Sequence, residues 1–260
     1  MPSEPERRNS TRKRRARGSI SADEIVAGAY RFAAEESLDA LSMPRLAQRL
    51  DVGVTSIYWY FRSKEELIDT MTERAFGEFF SGFGISDDLP WDAYLRSYFH
   101  RYREILQANS LLCDLIVIRS AELTPEATRL TAEHMDGVLQ VLVRHGFSPD
   151  TAMYAYSTLS VFTRGSVATE RLHTASARPR PKAAEAFGEL AGVKVLAALE
   201  EPHRIPFTAD NEFSFGIDNG LRGLQQLLIG VPSSRLPDKS SSSPLPAPVT
   251  FLQPSPAPPR

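Results

Sequence analysis

An all-α fold is predicted for this 260-residue chain by three observations. Apolar residues recur at helical spacing through most of it, helix-start signals repeat along it, and no stretch alternates in the manner of a strand. The start signals are of two kinds. Ser21 with Glu24 and Ser63 with Glu66 have capping-box spacing, while Thr124–Pro125 and Ser148–Pro149 set a proline at the first helical position behind an N-cap. A glycine- and aspartate-bearing break over residues 81–90 separates an N-terminal three-helix helix-turn-helix domain with its trailing helix, 21–80, from a larger helical domain, 90–230.

Residues 1–20 hold Arg7, Arg8, Arg12, Lys13, Arg14, Arg15 and Arg17 against Glu4 and Glu6. They lack apolar periodicity and are expected to form a disordered basic arm, able to neutralise phosphates. The first helix follows from Ser21, with Ile25, Ala29, Phe32 and Ala33 on one face. Ser42 is the expected N-cap of a short helix that tolerates Pro44 in its first turn, buries Leu46, Ala47 and Leu50, and turns Arg45, Gln48 and Arg49 outward. Asp51–Val52–Gly53 makes a tight turn, in which Gly53 is expected to take the backbone conformation closed to most residues. The next helix is expected from Val54 or Thr55 to Tyr60, with Ile57 and Phe61 inward and Thr55, Ser56, Tyr58 and Tyr60 on other faces. Ser63 then opens a helix to about Phe80, whose apolar face is Leu67, Ile68, Met71, Ala75 and Phe79.

Beyond Pro90 every readable element is a helix. One runs over 91–108 with Tyr94, Leu95, Tyr98, Phe99, Tyr102 and Ile105 as its apolar positions, and a short apolar piece spans 111–118. Helices over 124–146 and 148–174 follow. A proline-bearing loop at 176–182, a helix at 183–200 and a second loop at 201–208 lead to a last helix, 210–230, with Phe213, Ile217, Leu221, Leu224 and Leu228 on one face. Residues 231–260 are rich in serine and proline and read as a disordered tail.

At 42% hydrophobic and 24% charged residues the chain can bury a proper core. It has no apolar run of about 18 residues and no apolar N-terminal stretch, so neither a membrane span nor export is expected, and a cytoplasmic protein is. Cys113 is the only cysteine, which excludes an internal disulfide and a cysteine-based zinc site; it is expected to be a small buried hydrophobe. His100, His134, His145, His173 and His203 have no paired metal-ligand spacing, and no metal or cofactor is predicted. A glycine-rich phosphate loop, a nucleophile elbow and a carboxylate–histidine pattern are all missing, so the chain does not read as an enzyme.

The stretch from Ser42 to Lys64 carries the chemistry. In a helix-turn-helix unit the second helix enters the major groove and the first crosses the backbone. Thr55, Ser56, Tyr58 and Tyr60 can bond phosphates or base edges or touch thymine methyl groups, while Ser42, Arg45 and Lys64 are placed to anchor the backbone. The basic arm just before it has the matching charge.

These same residues, with Leu46–Ala47, Val52–Gly53–Val54, Ser56–Ile57–Tyr58, Tyr60–Phe61 and Ser63–Lys64–Glu65–Glu66–Leu67, resemble the DNA-binding domain of the tetracycline-repressor family. Phe162–Thr163–Arg164–Gly165 and Phe215–Gly216–Ile217–Asp218–Asn219–Gly220–Leu221 extend the resemblance, which covers about residues 21–230. It implies an all-helical homodimeric repressor. The N-terminal heads would bind double-stranded DNA at a palindromic operator, and the C-terminal domain would dimerise and hold an unidentified small-molecule effector. The family's groove-facing positions fall on Thr55, Ser56, Tyr58 and Tyr60, with Ser42 and Lys64 at phosphates. Two positions depart from its pattern: Pro44 stands where a base-reading arginine is found, so the operator does not carry over, and Phe80 stands where a drug-binding histidine is found, so no tetracycline–metal site is expected.

For the effector, helices 91–108, 124–146 and 148–174 offer Phe99, Tyr102, His134, Met135, Tyr156 and Phe162 as the lining of an apolar cavity. For dimerisation, helix 210–230 offers Gly216, Gly220 and Gly223 for close backbone approach, and helix 148–174 offers Ala155, Leu159, Phe162 and Ser166; two such helices per subunit could form a four-helix interface. The sequence thus reads as a ligand-responsive repressor. The alternative is a dimeric sensing or interaction protein without operator-specific DNA binding.

Overall fold

Ser21 opens α1 (Ala22–Glu35) with both halves of a capping box: its Oγ accepts from the Glu24 amide at 3.2 Å, and the Glu24 carboxylate accepts from the Ser21 amide at 2.8 Å. The computed structural model describes residues 20–84, 88–119, 123–175, 194–197 and 208–228. The expected basic arm before Ile20, the C-terminal tail, and most of the 176–207 segment with its expected helix therefore lie outside the described residues, save one helical turn, Lys194–Ala197. No strand occurs among the described residues.

Helix α2 (Met43–Leu50) is N-capped by Ser42, and Pro44 sits in its first turn, where the missing N–H has no intrahelical acceptor to serve. The turn after α2 corrects one expectation. Asp51, not Gly53, takes the left-handed conformation (φ 55°, ψ 42°), while Gly53 is extended (φ −72°, ψ 140°) and N-caps α3. Aspartate is among the few side chains that enter this region at small cost. Helix α3 (Val54–Tyr58) is also shorter than expected. Trp59, Tyr60 and Phe61 continue as a turn, with the Tyr60 and Phe61 amides both reaching back to the Ile57 carbonyl.

Helix α4 (Lys64–Ser81) starts at Ser63, whose Oγ accepts from the Glu66 amide at 3.1 Å. The second half of that capping box is displaced: the Glu66 carboxylate accepts from the Arg62 amide at 2.6 Å rather than from Ser63. Helix α5 (Trp91–Ala108) leads into α6 (Ser110–Cys113), which widens directly into a π-helical turn, Asp114–Ile118. Helix α7 (Pro125–Arg144) ends at Gly146, whose φ of 98° suits only a residue without a Cβ. Helix α8 (Pro149–Ala175), the turn α9 (Lys194–Ala197) and α10 (Asp210–Leu228) complete the described chain.

Helix α1 packs on both α2 and α4, α3 packs on α2, and α4 also packs against α7 and the π-helical turn. Helix α10 lies across both α5 and α8. The buried side chains form one continuous cluster from Ile25 and Leu46 in the head, through Met71 and Phe79 of α4, to Phe99, Val141 and Ile217, so the head is not a separate core. A buried arginine paired with an exposed aspartate closes the far end. Arg103 of α5, 6% exposed, donates to the Thr208 carbonyl at 2.7 Å and to Asp210 at 2.5 Å, and lies over the Phe213 ring. Cys113 is a free, buried thiol, and burial pushes its pKa up to about 11, so it behaves as the expected hydrophobe.

Candidate functional site

The head presents a small exposed face built on α3. Ile57, fully buried, fixes the helix against the core and turns the residues around it outward. Thr55 is exposed and Ser56 half-buried; Tyr58 is 47% exposed and Trp59 79% exposed. Two large aromatic side chains in water beside each other are unusual without a partner surface. Trp59 is not among the expected contacts, and its exposure stands out once α3 is seen to end at Tyr58, two residues before the expected end.

Two expected contacts are engaged within the protein. The Tyr60 hydroxyl donates to the Ile20 carbonyl at 2.8 Å, and its ring packs edge-on to Trp59 with centroids 4.7 Å apart. Tyr60 thereby fastens Ile20, just ahead of α1, to the turn that follows α3. Arg45 donates to the Ala40 carbonyl at 2.9 Å, pairs with the Glu36 carboxylate, and lies over the Phe32 ring at 5.0 Å. Arg49 likewise pairs with Glu35 and Glu36. The charge of Arg45 is thus offset locally. Ser42 is occupied by its capping bond, from the Arg45 amide at 3.4 Å, whereas Lys64 lies half-buried at the start of α4.

A second site lies where the later half of α4 meets α5, the π-helical turn, α7 and α8. It is a cavity of about 540 Å³, inside the range of roughly 300–1,000 Å³ typical of ligand clefts. Phe76, Phe79 and Phe80 come from α4, Tyr102 from α5, Ile116 and Val117 from the π-helical turn, Thr131 and Met135 from α7, and Tyr156, Ser157, Ser160, Val161, Arg164, Gly165 and Ala168 from α8. Of the six residues expected to line it, Tyr102, Met135 and Tyr156 do. The other three do not, for separate reasons. Phe99 is fully buried in the core behind α5. His134 stacks on Phe80 with ring centroids 4.4 Å apart and meets the Tyr98 hydroxyl at 2.9 Å through Nε2, so it backs the wall; burial holds its pKa below the usual histidine value. Phe162 points to the opposite side of α8 and stacks on Phe213 of α10, centroids 5.5 Å apart. Burial also pushes the Tyr102 and Tyr156 phenols up, so both line the cavity uncharged.

A third surface is formed by α8 and α10. Tyr154, Val161 and Leu172 on α8 and Phe215 and Leu227 on α10 are large apolar side chains left exposed. Ala155 and Leu159, expected at an interface between copies, are instead buried within the chain. The same holds for two of the glycines. A Cβ at Gly216 would lie 2.2 Å from the Phe162 ring, and one at Gly220 would lie 2.8 Å from Leu159, so they permit close packing of α10 on α8; Gly223 alone faces open space.

Comparison with known proteins agrees with this arrangement. Residues 25–71 match the model for bacterial regulatory proteins of the tetR family, and residues 86–228 match the tetracyclin repressor-like C-terminal domain. An HTH-type transcriptional repressor of Mycobacterium tuberculosis is 39% identical over 212 residues, covering 80% of this chain and 81% of its own. The class D tetracycline repressor protein of Escherichia coli is 24% identical over 214 residues, 81% of this chain and 88% of its own. Among solved structures, the Streptomyces coelicolor TetR family protein ActR, in complex with actinorhodin, superposes with a TM-score of 0.61 at 22% identity, over 80% of this chain and 98% of its own. The chain belongs to the TetR family of helix-turn-helix transcriptional regulators.

Proposed function

We propose that this protein is a homodimeric cytoplasmic repressor that binds a palindromic operator through two copies of the α3 face and leaves it when a small molecule enters the α4–α8 cavity. One observation carries the reading: α4 begins directly beside the exposed face, at Lys64, and its later turns, Phe76 to Phe80, wall the cavity. A ligand that favours one position of α4 thereby biases the spacing of the two heads, and it releases DNA only to the extent that it binds the two states differently. The name of the 39%-identical relative, a transcriptional repressor, supports repression over activation. The exposed apolar stripe of α8 and α10 supports dimerisation, since such stripes in soluble proteins usually meet a partner. Within the head, Thr55, Ser56 and Tyr58 are assigned to base edges or phosphates, Trp59 is added to them, and Ser42 and Lys64 are assigned to the phosphate backbone. Arg45 and Tyr60 are assigned to holding the head together.

The experiment is a binding comparison between the chain's own promoter DNA and a scrambled duplex, at two salt concentrations. Preference for the promoter at both is expected. Equal affinity for the two duplexes at both salts would leave the dimeric sensing protein without operator-specific binding as the better reading.

A further inference from the structure

Helix α2 turns Arg45 and Arg49 outward, yet neither stands in open water. Arg45 pairs with the Glu36 carboxylate and donates to the Ala40 carbonyl at 2.9 Å, while Arg49 pairs with Glu35 and, at 3.3 Å, with Glu36. Both guanidiniums lie over the buried Phe32 ring, 5.0 and 5.6 Å from its centroid. Cation–π attraction thus adds to the ion pairs in holding them at the seam of α1 and α2. Glu35 is the last residue of α1 and Glu36 its C-cap. This is the negative end of the helix dipole, where carboxylates are disfavoured unless cations stand beside them. Two positive and two negative charges therefore share one patch of the head and cancel. Over residues 20–63 acids outnumber bases six to four, whereas residues 1–18 hold seven bases and two acids, so the helical head itself offers phosphates no net attraction.

We infer that Glu35 and Glu36 limit the head's affinity for DNA by occupying the two arginines of α2, the helix that crosses the phosphate backbone. The inference rests on the reading of the head as a DNA-binding module. A cation strengthens binding to duplex of any sequence when it replaces a counterion at a phosphate. A guanidinium already engaged by a carboxylate brings that carboxylate's charge with it and gains little. The contacts assigned to α3 are untouched by this patch, so the limit falls on the sequence-independent share of binding. Such a limit has a use in a repressor. An effector changes affinity by roughly 5–150-fold, and a head gripping more phosphates would still hold DNA after the effector had bound.

The test is the slope of log affinity against log salt for the full chain on a scrambled duplex, where α3 has no operator to read. Glu35→Gln with Glu36→Gln keeps the side-chain shapes and removes both charges. The slope should steepen by about 0.9 for each arginine set free, so that a fourfold dilution of salt gains about three- to fourfold more affinity per arginine than in the native protein. Glu36→Gln alone leaves Arg49 its Glu35 partner and should give about half of that change; it serves also should the double variant fail to fold. Adding Arg45→Gln and Arg49→Gln to the double variant should restore the native slope, because the patch is neutral again. An unchanged slope in both glutamate variants would overturn the inference. So would a slope below the native one when all four residues are glutamine, since the arginines would then already meet phosphates, and so would a lack of measurable binding by native protein and variants alike. Preference for the promoter over the scrambled duplex is a separate readout of the same titrations. A steeper slope without that preference leaves the limit standing and removes operator recognition.

Discussion

The Tyr60 hydroxyl donates to the Ile20 carbonyl across 2.8 Å, joining the turn after α3 to the residue just ahead of α1. Forty residues separate them in sequence, and the bond gives Tyr60 a role within the head itself. Tyr60→Phe removes only this hydroxyl. A half-buried hydrogen bond contributes about 0.5–1.5 kcal/mol, so a loss of that size in urea unfolding is expected. Unchanged stability together with weaker promoter binding would instead return Tyr60 to the groove.

Tyr58 should behave in the opposite way. Its ring is 47% exposed, and substitutions at such positions usually shift stability by no more than about 0.5 kcal/mol. Tyr58→Ala is therefore expected to weaken promoter binding while leaving melting temperature and dimer mass unaltered; undiminished affinity for the promoter would remove Tyr58 from the contact set.

Removing residues 1–18 deletes seven arginines and lysines and two glutamates. If the arm neutralises phosphates, each lost contact should reduce the slope of log affinity against log salt by about 0.9 on duplex DNA. Affinity for promoter and scrambled duplex should fall together. An unaltered slope would show that the arm makes no ionic contact.

Much of the head was legible in the sequence because its signals are local. Ser21 with Glu24, Ser42 before Pro44, and Ser63 each announce a helix within four residues of its start, and each does so in the structure. The errors arise where the deciding partner is remote or a stop is ambiguous. Both Asp51 and Gly53 can terminate α2, and only the observed helix end selects Asp51. The π-helical turn at Asp114–Ile118 has no residue pattern of its own. Arg103 looks like an outward cation on α5 until Asp210 and Thr208, over a hundred residues later, enclose it. The cavity was half legible for the same reason: apolar periodicity puts Phe99, Tyr102 and Phe162 on buried faces alike, and only the packing of α10 on α8 shows that Phe162 serves that contact instead.

That contact yields a further prediction. Because a Cβ at Gly216 would stand 2.2 Å from the Phe162 ring, Gly216→Ala must push α10 away from α8 or rotate the ring off Phe213. Overpacking of this kind costs about 1–3 kcal/mol. A lower melting temperature is expected, along with a weaker dimer by light scattering, since the same two helices carry the exposed stripe. Gly223→Ala meets open space and should be tolerated in the fold. Equal melting temperatures for the two variants would show that the α8–α10 approach is not tight.

His134 makes stability depend on pH. Burial holds its pKa below the ordinary 6.5, and its Nε2, 2.9 Å from the Tyr98 hydroxyl, is placed to accept that proton when the imidazole is neutral. Well above pH 6.5 the imidazole is neutral in both folded and unfolded chains and contributes no pH dependence. Below that value the unfolded chain binds a proton that the folded chain does not, so stability falls with pH until the folded imidazole itself protonates. His134→Gln should flatten this part of the curve relative to the native protein in denaturant titrations between pH 7.5 and 5, a window set by the ordinary histidine value. Direct titration of the His134 ring by NMR should give a midpoint below 6.5; a midpoint at or above it would mean that the histidine is solvated and that Phe80 does not cover it.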